Sequence, residues 1–120
     1  MRVLIADDNL LIRRAIATLV TNDQAFEVCG EASDGREALE KADILKPDVV
    51  LLDISMPGMD GLNLAQMLRQ QLPATKILII SQHDAHHLLP RSLEAGANGC
   101  VDKARIVTDL LPTLKRILDR

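Results

Sequence analysis

Three short aliphatic runs constrain this chain more than any other feature. They are residues 3–6 (Val-Leu-Ile-Ala), 49–52 (Val-Val-Leu-Leu) and 77–80 (Ile-Leu-Ile-Ile). None alternates polar with apolar residues, as a strand with one wet face must. Continuous runs of this length, rich in Val and Ile, suit strands covered on both faces, the condition of a parallel sheet. Residues 26–32 do alternate, with Phe26, Val28 and Gly30 opposite Glu27, Cys29 and Glu31, and read as an edge strand. Residues 99–101 (Gly-Cys-Val) read as a fifth, short strand.

Helical periodicity fills the gaps. After the first run, Ile12, Ile16 and Leu19 share one face, and Arg13 and Arg14 are expected to point outward. Asp34-Gly35 opens a helix over 36–45 with Ala38, Leu39, Ala42 and Leu45 inward, and Pro47 ends it. Residues 62–72 turn Leu64, Met67, Leu68 and Leu72 inward, with Pro73 as the stop. The last stripe is Leu110, Leu111, Leu114, Ile117 and Leu118; Thr108 is the expected N-cap, with Asp109 and a tolerated Pro112 in the first turn. Residues 84–95 read as a helix broken by Pro90, so a short helix starting near Pro90, or a kink there, is expected. The order is β-α five times, which implies an α/β, doubly wound parallel sheet with its site at the carboxyl ends of the strands.

Composition removes several function classes. There are 14 Lys plus Arg against 17 Asp plus Glu, so the net charge is −3, with no basic cluster to hold nucleic acid. Trp and Tyr are absent and Phe26 is the single aromatic residue, so bases find no stacking platform and the core must be aliphatic. No apolar run approaches the roughly 20 residues of a membrane span, and the N-terminus carries no signal-peptide pattern. Two cysteines, Cys29 and Cys100, make no disulfide framework, which points to a reduced, cytoplasmic setting.

The strand ends carry the chemistry. The first strand ends in Asp7-Asp8, the third in Asp53, the fourth in Ser81, and Lys103 follows the fifth. In a parallel sheet these ends share one rim. Three crowded carboxylates repel, and a divalent cation removes the conflict; Mg2+ takes about six oxygen ligands and readily keeps waters or accepts phosphate oxygens. Lys103 then serves as a point charge for phosphate and Ser81 as a hydrogen-bond donor. Asp53, alone on the central strand, is the candidate nucleophile for an aspartyl-phosphate. Taken singly, Asp7-Asp8 fits an ordinary helix cap, Asp53 a turn, and Ser81 and Lys103 carry no signal. Their convergence on one rim does.

At these residues the chain resembles the receiver domain of bacterial two-component response regulators, over essentially its whole length. The resemblance rests on Ile5-Ala6-Asp7-Asp8, on Leu51-Leu52-Asp53-Ile54-Ser55-Met56-Pro57-Gly58-Met59-Asp60-Gly61, on Ile80-Ser81, and on Gly96-Ala97-Asn98-Gly99-Cys100-Val101-Asp102-Lys103. It implies a flavodoxin-like (βα)5 fold of strand order 2-1-3-4-5 over residues 1–120. It further implies that Asp53 accepts a phosphoryl group from a sensor histidine kinase. Mg2+ would be held by Asp8, Asp53 and the Ser55 carbonyl, with Asp7 acting through a bound water. Lys103 would hold the phosphoryl group and Ser81 would move to bond it, the movement being a population shift between two forms. Ser55 and His83 stand at positions that tune dephosphorylation in the family. The domain would have no turnover substrate beyond its own phosphorylation and dephosphorylation.

Two positions depart from the family. Cys100 stands where a Tyr or Phe usually swings inward, so the outward signal needs another route, such as the 82–89 loop. Ala104 replaces the proline that commonly follows the lysine, which leaves the isomer of the Lys103–Ala104 bond open. His83, His86 and His87 are weighed as a zinc cluster against a solvated loop. In the implied strand order Cys29 and Cys100 lie on opposite edges, about 19 Å apart at about 4.8 Å per strand, too far for a disulfide.

Residues 28–39 resemble receivers of transcription factors with a LuxR-type helix-turn-helix. DNA contact would then come only through a C-terminal domain absent from these 120 residues; a stand-alone receiver is the other option. A homodimer would use either the face of the fourth and fifth elements or the outer faces of the first and last helices. Two other functions compete. One is a receiver-like module that binds proteins without phosphorylation. The other is an aspartate-dependent phosphohydrolase resembling the haloacid dehalogenases, which need a second Asp where this chain has Ser55.

Overall fold

The computed structural model describes residues 1–58, 60–82 and 85–119. β1 (Arg2–Ala6), β2 (Glu27–Ala32), β3 (Val49–Asp53), β4 (Lys76–Ser81) and β5 (Gly99–Asp102) alternate with α1 (Leu10–Thr21), α2 (Gly35–Leu45), α3 (Gly61–Gln71), α4 (Ala85–Glu94) and α5 (Ile106–Leu118). A single 3-10 turn, Lys103–Arg105, leads into α5. The strands form one sheet in the order β2-β1-β3-β4-β5, and all four neighbouring pairs are parallel. The expected fold and strand order are therefore observed.

The continuous aliphatic runs are buried on both faces, as their composition requires. Every residue of β3 is buried, and Leu4, Ile5, Leu51, Leu52, Ile77 and Ile79 are fully covered. Successive residues feed opposite layers: Val3, Ile5, Val49 and Leu51 pack with α1 and α5, while Leu4, Val50, Leu52 and Ile77 pack with α2 and α3. Burying each such side chain contributes roughly 1.5–3 kcal/mol, which makes the central strands the stiffest part of the molecule.

Several helix details differ from expectation. α4 begins at Ala85, so Pro90 is its sixth residue rather than its start. Proline has no N–H, so one intrahelical bond is missing at this position. The Ala85 N–H is taken by the Asp102 carboxylate at 2.6 Å. α5 starts at Ile106 because the 3-10 turn runs straight into it; Thr108 is inside, its hydroxyl donating to the Arg105 carbonyl, and Pro112 is the seventh residue. Met67 is 46% exposed, and Ala65 is the buried neighbour of Leu64 and Leu68. Phe26 is buried but precedes β2, where a register shift opposite Val3 and Leu4 breaks simple alternation.

Candidate functional site

The carboxyl ends of β1, β3 and β5 bring the expected charges together. Asp7 and Asp53 are 1% and 2% exposed, whereas Asp8 is open to solvent. One carboxylate oxygen from each of the three lies within 4.8 Å of the others. Lys103 crosses the rim, its Nζ 3.1 Å from Asp53 Oδ2 and 3.2 Å from Asp7 Oδ2. Ser55 N–H and Oγ–H donate to Asp53 Oδ1 at 2.9 and 2.7 Å. Ser81 ends β4, fully buried, one strand over from Asp53 and in register with Asp102.

Local sequence explains this placement. Asn9 caps α1, accepting from the Ile12 N–H, and its own N–H donates to Asp7 Oδ1 at 2.9 Å. After β3 the chain turns through Gly58 at φ 85 and enters α3 under the cap of Asp60. Gly61 is required by space: a Cβ there would sit 2.4 Å from the Ile54 Cα. The Ser55 bonds keep the start of the loop after β3 beside the acidic pocket, and Gly61 lets α3 close in on Ile54.

Burial pushes the Asp7 carboxyl above its ordinary pKa; the Asn9 amide pulls it down, the Asp53 charge adds to the rise, and Lys103 opposes it. Burial alone would lower the Lys103 pKa, but the hydrogen bond and charge of Asp53, with those of Asp7, outweigh it and raise it. Asp7 Oδ2 is buried without a hydrogen bond of good geometry, although the Lys103 ammonium is near it. A buried oxygen with unused lone pairs beside two further carboxylates fits a hard cation such as Mg2+.

Sequence reasoning missed Arg13. It does not point outward: its side chain is 13% exposed, donating from Nη1 to the Asp7 carbonyl at 2.7 Å and from Nε to Glu31 at 2.8 Å. It ties the turn that carries two carboxylates to the end of β2. Arg14 does face solvent. Cys29 and Cys100 are half-buried free thiols on opposite edge strands, both pushed to higher pKa chiefly by burial. No cis peptide bond occurs among the described residues, so Lys103–Ala104 is trans. His86 and His87 are exposed, and among the described residues the three aspartates are the one group arranged to hold a metal. His83 lies outside the described residues.

The family of response regulator receiver domains matches residues 3–115. The transcriptional regulatory protein PdtaR of Mycobacterium tuberculosis is 35% identical over 99% of this chain and 57% of its own length. The response regulator GacA of Pseudomonas viridiflava is 33% identical over 98% of this chain and 55% of its own. The chain thus spans about half the length of the curated relatives it matches. A LuxR-family response regulator from Aurantimonas superposes with TM-score 0.92 at 30% identity, covering 98% of this chain and 84% of that one. The response regulator domain of Thermotoga maritima CheB gives TM-score 0.88 at 27% identity, covering 100% and 97%. No helix among the described residues is long and apolar enough to cross a membrane.

Proposed function

This chain belongs to the response regulator receiver domains, and from that premise we propose that it is a phosphorylation switch whose acceptor is Asp53. The observation that carries the reading is the Lys103 ammonium set between two buried carboxylates, with Asp8 completing an acidic trio. The donor would be the phosphohistidine of a sensor histidine kinase. Asp53 Oδ2, which Ser55 leaves unheld, attacks phosphorus; the new O–P bond forms as the P–N bond breaks, and the departing imidazole nitrogen takes a proton. Lys103 offsets charge that builds on the phosphoryl oxygens, and Ser81 supplies a hydroxyl at the same rim. Asp7, Asp8 and Asp53, with the Ser55 carbonyl, would hold Mg2+. When bound, Mg2+ supplies positive charge at the phosphoryl oxygens.

On this reading the chain has no turnover substrate and only phosphorylates and dephosphorylates itself. By likeness to regulators such as PdtaR and GacA, it serves as the cytoplasmic regulatory part of a transcription regulator. DNA contact would come through a further domain, and a homodimer would be one form of output. The test is incubation with a small phosphoramidate and Mg2+, followed by intact-mass and peptide mass spectrometry. One phosphoryl group on Asp53, lost in Asp53→Asn and on removal of Mg2+, is expected. Label retained after Asp53→Asn overturns the assignment. Phosphorylation that changes neither oligomeric state nor partner affinity would favour the phosphate-independent binding module instead.

A further inference from the structure

Resting on the phosphorylation reading, we propose that Asp102 is the positioning residue that carries the state of the site to α4. β5 ends in Cys100-Val101-Asp102, and strand alternation puts Cys100 and Asp102 on one face and Val101 on the other. That face looks at α4. Cys100 and Asp102 line a cleft of about 340 Å³ with Ala85, His86 and Leu89 of α4. The Cys100 thiol meets α4 at the buried Ser92, further along the helix and away from its start. Asp102 holds the start itself: its Oδ1 accepts the Ala85 N–H, the first of α4, at 2.6 Å. A carboxylate there also satisfies an orphan donor and meets the positive end of the helix dipole.

The other side of Asp102 is the site itself. Its immediate neighbour Lys103 holds Asp53 and Asp7, and Asp102 is paired in register with Ser81. A phosphoryl group on Asp53 adds negative charge and acceptor oxygens further out than Oδ2. Lys103 must follow them, and its peptide plane is shared with Asp102. A shift there moves the carboxylate relative to Ala85, so α4 has two states: its first turn capped from β5, or released. Both ends bias the same bond, the requirement for coupling rather than mere proximity.

The test is hydrogen exchange by mass spectrometry on the same 120-residue chain, at rest and phosphorylated by a phosphoramidate with Mg2+. It compares the wild type with Asp102→Ala and with Asp102→Asn, which keeps the acceptor oxygen. In the wild type, exchange at the start of α4 should change by about fivefold on phosphorylation, the ratio that matches ~1 kcal/mol for one hydrogen bond. Asp102→Ala should exchange fast there in both states while still gaining the phosphoryl mass. Asp102→Asn should restore the difference, which guards against general unfolding. If Asp102→Ala is phosphorylated and shows the wild-type change at α4, the role of Asp102 is refuted. If no variant, wild type included, gains the mass, the phosphorylation reading itself fails, a distinct result read from the intact mass.

Discussion

Replacing Lys103 by methionine removes the ammonium that faces the acidic pocket while keeping most of the length of the side chain. Its Nζ lies 3.1 and 3.2 Å from the two carboxylates, and at an effective dielectric constant of about 20 each attraction is worth ~5 kcal/mol. Much of that is already spent on stripping water from three ions, several kcal/mol each. What the variant loses is set by what it leaves behind: Asp7 and Asp53, 1% and 2% exposed, facing each other without a counter-ion. Removing one partner of a buried pair costs about 3–5 kcal/mol. Solvent reaches the Lys103 side chain to 14%, so a loss of about 3 kcal/mol near neutral pH is expected. The Asp7 carboxyl is already raised by burial and by Asp53, and losing Lys103 raises it further. A carboxyl raised on folding contributes stability that is present in acid and lost as pH rises through its folded value. The penalty should therefore shrink as the solution is acidified. Added Mg2+ should stabilise the variant more than the wild type, because no ammonium competes for the same oxygens. Urea titrations followed by far-ultraviolet circular dichroism measure all of this, since the chain has no Trp or Tyr to report by fluorescence. A variant as stable as the wild type at neutral pH without Mg2+ would refute the reasoning.

Three further outcomes follow from the same geometry. Asp53→Asn keeps an oxygen for the two Ser55 donors, so the fold should survive, but the stabilisation by Mg2+ in thermal melts should largely vanish; an unchanged Mg2+ shift would count against the proposed trio. Gly61→Ala forces a methyl against the Ile54 backbone and should cost about 3 kcal/mol, the upper end for overpacking, seen as a lowered urea midpoint. Arg69→Ala strips the donor that serves the Gly96, Leu72, Pro73 and Thr75 carbonyls and the Asn98 side chain, and should cost about 3 kcal/mol by the same titration.

The sheet was legible because its signal is local: an unbroken aliphatic run can be satisfied only by cover on both faces. The site was legible because parallel strands leave little freedom in where their ends go, so Asp7, Asp53 and Lys103 had to meet. Tertiary detail was not legible. Arg13 is four residues after the Asn9 cap, and periodicity cannot tell a side chain that points to solvent from one that reaches sideways to Glu31. Pro90 does not start α4, because where a helix begins is set by what caps it and not by its proline. The cap that fixes the start of α4 comes from Asp102, 17 residues away. Thr108 has the chemistry of an N-cap, but the 3-10 turn had already started the helix.

Among the described residues the pocket sets three carboxylates against one ammonium, an excess of negative charge that no fold would select for stability. It can be held because the acids are attached to the least deformable part of the molecule. Asp53 continues a strand whose residues 49–52 are all 0% exposed, and that strand is bonded to neighbours on both sides. Asp7 follows β1, its N–H donating to the Ala32 carbonyl and its own carbonyl held by Arg13. Local repulsion therefore cannot relax by moving the strands apart. It can relax by taking up a proton or a cation, and the stiffness of the aliphatic sheet is what turns electrostatic strain into responsiveness at the rim.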